Sequence, residues 1–219
     1  MEVGKAAMAV LLAQRENSVA LWGGHENWLQ YLYNRMIGSS LEEFSQNQVS
    51  FVTFNYDRSV EMFLSTALQN AFGKTTEEVA AVLNEIPIIH LHGRLGYLPW
   101  QNPSQGREYS GHIDQAVMEI CRREIKVVHE DITDRDKDFA RAKQVLGAAQ
   151  RVYLLGFGFG TKNVERLDLR SLTPEIFEGT AFGFTDQERH SNVVLCGGKV
   201  TLHTGYQCLE FLRNRTPLD

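Results

Sequence analysis

With 219 residues, 43% of them hydrophobic and 22% charged, the chain can bury one sizeable core, and a single domain over residues 1–219 is expected. Its formal net charge of −5 at pH 7 excludes the basic footprint that phosphate neutralisation needs, so nucleic acid is not an expected partner. Cys121, Cys196 and Cys208 are too few and too far apart for a disulfide framework or a paired Cys-x-x-Cys zinc site, and no run approaches the ~20 apolar residues of a membrane span or the order of a signal peptide, which points to a reducing cytoplasm.

Residues 5–16 are nearly all apolar or small, which predicts a helix packed on most sides and a chain that starts inside a domain. A second helix is predicted from about residue 26 to residue 36, after a Gly23-Gly24 turn, with Trp28, Leu29, Leu32 and Tyr33 at helical spacing. Residues 49–54 read as a short strand. They are followed by Val60, Phe63, Leu64, Ala67, Leu68 and Ala71 at the spacing of a helix, with Asn55-Tyr56-Asp57 at the turn between. Thr75 and Glu78 form a capping-box pattern that opens a helix towards Asn84. Residues 87–91 read as another strand, which delivers His90, Leu91, His92 and Gly93 to its C-terminal end.

An irregular loop is expected through Trp100, Pro103 and Gly106, then a helix over residues 113–121. A further helix, with Thr133 and Asp136 as a cap pair, runs through Phe139, Ala142, Leu146 and Ala149. Residues 152–155 predict a buried strand ending in Gly156-Phe157-Gly158-Phe159-Gly160, and residues 163–167 start a helical turn. Residues 180–184 and 200–203 are further strand candidates, and residues 205–213 read as a closing helix. Strands that alternate with helices in this way predict a Rossmann-like α/β fold, with a largely parallel sheet covered by helices on both faces. Ligands of such folds bind beyond the carboxyl ends of the strands, where the Asn-Tyr-Asp, His-Leu-His-Gly and Gly-Phe-Gly segments are expected to converge.

Each of these loops admits two readings. Asp57 either accepts free N–H groups at the start of the following helix while Asn55 shapes the turn, or both face a ligand. His92 has the side chain suited to proton abstraction near neutral pH, whereas His90, on the same strand face, reads either as a partner behind His92 or, more readily, as a satisfied core histidine. The glycines at 156, 158 and 160 either make a structural turn or let backbone approach a ligand closely. Their spacing departs from Gly-x-Gly-x-x-Gly, which ranks an oxidoreductase-type dinucleotide turn lower.

Taken in order, Thr53-Phe54-Asn55-Tyr56-Asp57, Ile88-Ile89-His90-Leu91-His92-Gly93 and Leu154-Leu155-Gly156-Phe157-Gly158 with Asn163 resemble the motifs of sirtuins and sirtuin-like NAD hydrolases. The resemblance spans roughly residues 4–213 and implies a sirtuin-like NAD-binding fold that cleaves the nicotinamide-ribose bond of NAD. It implies that Asn55 orients a water or the ribose, that Asp57 holds the nicotinamide end, and that His92 is the general base. Gly156, Phe157, Gly158 and Asn163 would line the adenine-side ribose. Nicotinamide leaves as oxocarbenium character builds on the ribose, so an amide and an imidazole can serve where ordinary glycosidases use two carboxylates.

NAD is then the substrate, no metal is implied, and NAD or ADP-ribose is the expected partner; no membrane partner is expected, and a homo-oligomer stays open. Two family features are missing. No glycine-rich phosphate loop precedes Lys5, and three cysteines cannot build the four-cysteine zinc module of sirtuin deacylases, which favours NAD hydrolysis over deacylation. The resemblance further implies a setting in bacterial anti-phage defence, where proteins of this sort often deplete NAD. A second expectation is a degenerate sirtuin-like scaffold, a regulatory or assembly module without NAD turnover.

Overall fold

In the computed structural model, which describes residues 2–23, 27–126 and 137–216, helices and short strands follow one another along the chain. The chain divides into two units, residues 1–132 and residues 133–219. The first carries α1 (Glu2–Ala13), α2 (Ser18–Trp22), α3 (Trp28–Met36), α4 (Leu41–Ser45), β1 (Phe51–Thr53), α5 (Ser59–Phe72), α6 (Thr76–Leu83), β2 (Ile88–His90) and α7 (Gln115–Glu124). The second carries α8 (Lys137–Ala148), β3 (Arg151–Leu154), α9 (Thr161–Arg166), β4 (Ile176–Thr180), α10 (Asp186–Leu195), β5 (Thr201–His203) and α11 (Cys208–Arg215).

The fold is mixed α/β, and each unit holds a small parallel sheet. In the first, β1 pairs with β2 in the register Phe51↔Ile88, Val52↔Ile89 and Thr53↔His90. In the second, β4 lies between β3 and β5, parallel to both. The expected parallel pairing is present, divided between two sheets.

Local chemistry explains where the helices start. Asn27 accepts from the N–H groups of Leu29 and Gln30 at the head of α3, and the Thr75–Glu78 capping box closes on α6 as its spacing predicts. Below α5, the stripe Phe63, Leu64, Ala67 and Leu68 buries against Leu29, Tyr33, Phe44, Val79 and Leu83, which builds the main core of the first unit. Trp28 and Trp100 pack on this core, and Trp22 stacks on Phe63 with ring centroids 4.4 Å apart.

Several expectations are corrected. Helix α1 is not packed on most sides: Ala9 and Ala13 are buried in a small cluster with Leu95, Cys121 and Ile125, while Leu11 is 64% exposed. Its alanines permit close approach to α7 along one face, where Met8 and Leu12 pack beside the cluster, while the large apolar Leu11 stays exposed.

The strand expected over residues 180–184 lies instead at Ile176–Thr180, followed by a turn. Gly179 hides it in the sequence, because glycine argues against a strand interior. Here a Cβ at position 179 would lie 2.8 Å from Leu154 Cβ and 2.9 Å from Leu154 O, so only glycine lets β3 and β4 come together. Helix α10 was not anticipated, although Thr185 and Glu188 form a complete capping box at its start. The short helices α2 and α4 also went unforeseen. The Thr133–Asp136 cap pair and the start of the helix expected from residue 26 lie outside the described residues.

Between β2 and α7, residues 91–114 form neither helix nor strand, and two buried arginines hold them. Arg58, 0% exposed, binds Glu16 through Nε at 2.9 Å and Nη2 at 2.5 Å, and donates to the carbonyls of Tyr97, Arg107 and Glu108. Arg107 donates to the same Glu16 carboxylate and to the carbonyls of Leu95, Glu108 and Ser110. Removing Glu16 leaves two buried cations without their counter-charge. Glu16→Ala is expected to lose about 3–5 kcal/mol of stability, read from urea unfolding.

Candidate functional site at the ends of β1 and β2

Because β1 and β2 are parallel and in register, the residues that follow them leave the sheet side by side. Asn55 and His92 stand two positions beyond the paired residues Thr53 and His90, and Leu91 N donates to Thr53 O at 2.9 Å as the strands end. The structure thus brings the strand ends carrying the Asn-Tyr-Asp and His-Leu-His-Gly segments together in the first unit.

The Asn55 turn is tied down by side chains. Asn55 N donates to Thr53 Oγ1 at 3.0 Å, and its carbonyl oxygen accepts from His90 Nδ1 at 2.9 Å. Its own side chain is exposed. Asp57 Oδ1 accepts from Ser59 N at 3.1 Å, so the capping contact weighed for this carboxylate is present at the first residue of α5. Tyr56 donates its hydroxyl proton to Lys126 O at 3.2 Å, and Ser59 Oγ lies 3.0 Å from the Tyr109 hydroxyl. Burial raises the Tyr109 phenol above its ordinary pKa, with the Ser59 contact working the other way.

His92 is 5% exposed, with the Phe54 ring 5.3 Å away, and its backbone carbonyl accepts from Lys126 N at 2.8 Å. Gly93 is the residue that lets this backbone bond form. It has φ +76°, its neighbour across an antiparallel bridge is Ile125, and a Cβ there would lie 1.9 Å from Glu124 O. The glycine of the Leu-His-Gly segment therefore has a steric requirement independent of any ligand.

His90 is the core histidine that its pattern predicts, 2% exposed and bonded on both ring nitrogens. Its Nε2 lies 2.9 Å from Glu61 Oε1, and Arg94 Nη1 lies 3.7 Å from the same oxygen. Glu61, on α5, was missed in the sequence. The available signal was an acidic residue beside the apolar stripe, one helical turn beyond Asp57. Burial pushes the Glu61 carboxyl upward, but the hydrogen bond and charge of His90, a backbone hydrogen bond and Arg94 outweigh it and hold its pKa below the usual carboxylate value.

In the second unit, Gly156, Phe157, Gly158 and Asn163 lie beyond the carboxyl end of β3. Gly156 has φ +60° and donates its N–H to Thr180 Oγ1 at 2.8 Å. A Cβ at Gly156 or Gly158 would meet nothing within 4 Å, so that side of the loop is open. The Phe157 and Phe159 rings lie 4.9 Å apart, and Phe159 has the positive φ of +49° that non-glycine residues seldom adopt. Asn163 is in the first turn of α9, with its N–H donated to Gly160 O at 2.8 Å.

The cysteines are free thiols; burial pushes Cys196 up to about 11, away from thiolate chemistry. Among the described residues, no group of three or more His, Cys, Asp or Glu could hold a metal ion, and no helix is long and apolar enough to cross a membrane. A cavity of about 330 Å³ between α1 and α7 is lined by Lys5, Glu119, Ile120, Arg122 and Arg123. Arg122 and Arg123 already pair there with Glu119 and Glu124. The chain matches no family model, no curated protein and no solved structure.

Two outcomes follow from this geometry. Gly93→Ala is expected to destabilise the protein by about 1–3 kcal/mol from backbone strain alone, with the clash against Glu124 O in addition, read from the denaturation midpoint. Glu61 ionises at lower pH in the folded chain than in the unfolded one, so its stabilisation is present above the ordinary value near 4.5 and lost as pH falls through the folded value. The stability difference between the wild type and Glu61→Gln is therefore expected to fall steadily below about pH 4.5 in unfolding measurements, with no such fall above it.

Proposed function

We propose that the chain is a sirtuin-like, Rossmann-like NAD glycohydrolase domain that releases nicotinamide from NAD, with Asn55 and His92 as its catalytic residues. The observation that carries this reading is the parallel register of β1 and β2, which places both residues at the same step beyond adjacent strand ends. Asn55 orients the attacking water or the ribose from an exposed side chain on a backbone bonded at both its N–H and its carbonyl. His92 takes a proton from the ribose hydroxyl or the water. Its burial supplies the dehydrated setting in which a positioned imidazole works best. Asp57 would hold the nicotinamide end with the carboxylate capacity left beside its contact to Ser59.

Within the second unit, the open side of Gly156 and Gly158 and the strained Phe159 backbone beside them leave room for a ligand at the loop after β3. Cleavage needs no metal in this reading, because the cationic nicotinamide ring takes the electron pair of the broken bond and leaves neutral, while the positive charge passes to the ribose until water adds and gives up a proton. In the cytoplasm of a bacterium, the same reaction would deplete NAD during phage infection.

A second reading, a sirtuin-like scaffold without NAD turnover, draws on Asp57 serving α5 and on the steric need for Gly93, both of which would persist in a protein that binds nothing. Nicotinamide release from NAD separates the two. The wild type is expected to turn over, and Asn55→Ala and His92→Ala each to lower kcat by about 100-fold or more. Equal turnover in all three proteins would refute the assigned roles, and an inactive wild type that also fails to bind ADP-ribose by calorimetry would favour the scaffold.

A further inference from the structure

We propose that Glu61 and His90 are positioning residues for Asn55, a buried carboxylate–imidazole relay that sets the backbone of the turn from which the Asn55 side chain projects. The functional meaning of this relay rests on the reading of Asn55 as the residue that orients the water or ribose.

The relay runs through three elements. Glu61 belongs to α5, His90 ends β2, and Asn55 lies in the turn after β1. Glu61 Oε1 lies 2.9 Å from His90 Nε2, and His90 Nδ1 lies 2.9 Å from the Asn55 carbonyl oxygen, with Glu61 0% and His90 2% exposed. A carbonyl only accepts, so Nδ1 must carry a proton. The Glu61 carboxylate on the opposite nitrogen also only accepts, so Nε2 carries a proton as well, and the doubly donating ring is held in the orientation that aims its Nδ1 proton at Asn55. Arg94, whose guanidinium lies 4.7 Å from the Tyr97 ring centroid, adds positive charge 3.7 Å from the same carboxylate oxygen.

Stability alone is a poor reason for this arrangement. A buried carboxylate–imidazole pair commonly contributes less than an apolar pair of the same volume, and Glu61 Oε2 makes no hydrogen bond among the described residues. Orientation is the better reason. Sheet β1–β2 ends at Thr53 and His90, so the sheet ladder does not extend to Asn55. Thr53 Oγ1 takes its N–H and His90 takes its carbonyl, which fixes the peptide on both sides while the side chain stays exposed. A displacement of the turn by about 1 Å would cost on the order of 100-fold in rate at a catalytic group.

The test uses the full chain with ¹⁵N-labelled histidine and asparagine, in the wild type, Glu61→Ala and Glu61→Gln. In the wild type, His90 is expected to show a protonated Nδ1 and Asn55 a slowly exchanging amide. Glu61→Ala is expected to lose the fixed Nδ1–H that faces Asn55, to speed Asn55 amide exchange, and to lower kcat for nicotinamide release by about 10- to 100-fold with KM changed less than about threefold. Glu61→Gln, which keeps a hydrogen-bond partner at Nε2, is expected to restore all three readouts. A wild-type His90 protonated on Nε2 alone overturns the proposal, as do Nδ1 and Asn55 signals in a folded Glu61→Ala that match the wild type. If Glu61→Ala does not fold, the Nδ1 state in the wild type and in Glu61→Gln carries the decision in the same two directions. A wild type that releases no nicotinamide refutes the NAD reading alone, since the imidazole and amide signals still report whether the relay sets Asn55.

Discussion

A single buried carboxylate, Glu16, faces two guanidiniums, and much of the first unit is organised around that imbalance. One negative charge cannot satisfy Arg58 and Arg107 together, so their remaining donors turn to the carbonyls of Leu95, Tyr97, Arg107, Glu108 and Ser110. In a low-dielectric interior these charge-assisted bonds are strong, and they give an irregular segment the order that a helix or sheet ladder would otherwise provide. Burial and the nearby Arg58 charge both pull the Arg107 pKa below its ordinary value, with Glu16 opposing them. The cluster is therefore costly to assemble and costly to break, which is the behaviour of an interior ion network that specifies one arrangement.

The same cluster reaches the proposed site through one residue. Arg58 is the N-cap of α5, and its backbone N–H also donates to Glu16 at 3.1 Å. Asp57 precedes it directly, and Tyr109, from the segment the arginines hold, bonds to Ser59 just after it. The Asn55–Asp57 turn is thus supported on one side by Glu16 and Arg58 and on the other by Glu61 and His90. Two three-residue strands could not provide that support, because their ladder stops before the turn begins. Polar side chains take over where the sheet ends, which is where parallel α/β folds place their ligands.

The second unit meets the same need by different means. Gly179 lets β3 and β4 approach closely, Thr180 takes the Gly156 N–H, and left-handed backbone at Gly156 and Phe159 shapes the loop without buried charge. Within its sheet, His203 on β5 lies 2.7 Å from the Glu178 carboxylate on β4, which also lies 3.6 Å from Arg215. A loop held by backbone geometry and small residues keeps an open side, in contrast to the densely bonded turn after β1.

Much of this was readable from residue order. The strand–turn–helix at residues 51–72 followed from a change of hydrophobic period, α6 from a Thr75–Glu78 capping box, and the fate of His90 from its place on a buried strand. These are local signals, carried by neighbours within one or two turns of chain. Strand β4 escaped because a glycine marks it as weak until its partner strand is in place, and Leu11 misled because apolar character does not say which face is covered. The Glu16 cluster was beyond reach for a simpler reason. Its partners lie 42 and 91 positions apart, and the Glu61–His90 contact joins residues 29 apart, so their meeting depends on how helices and strands pack. Hydrophobic spacing and caps write the elements into the chain, but electrostatic partnership is a property of distance in space, and it came into being only once those elements had folded against one another.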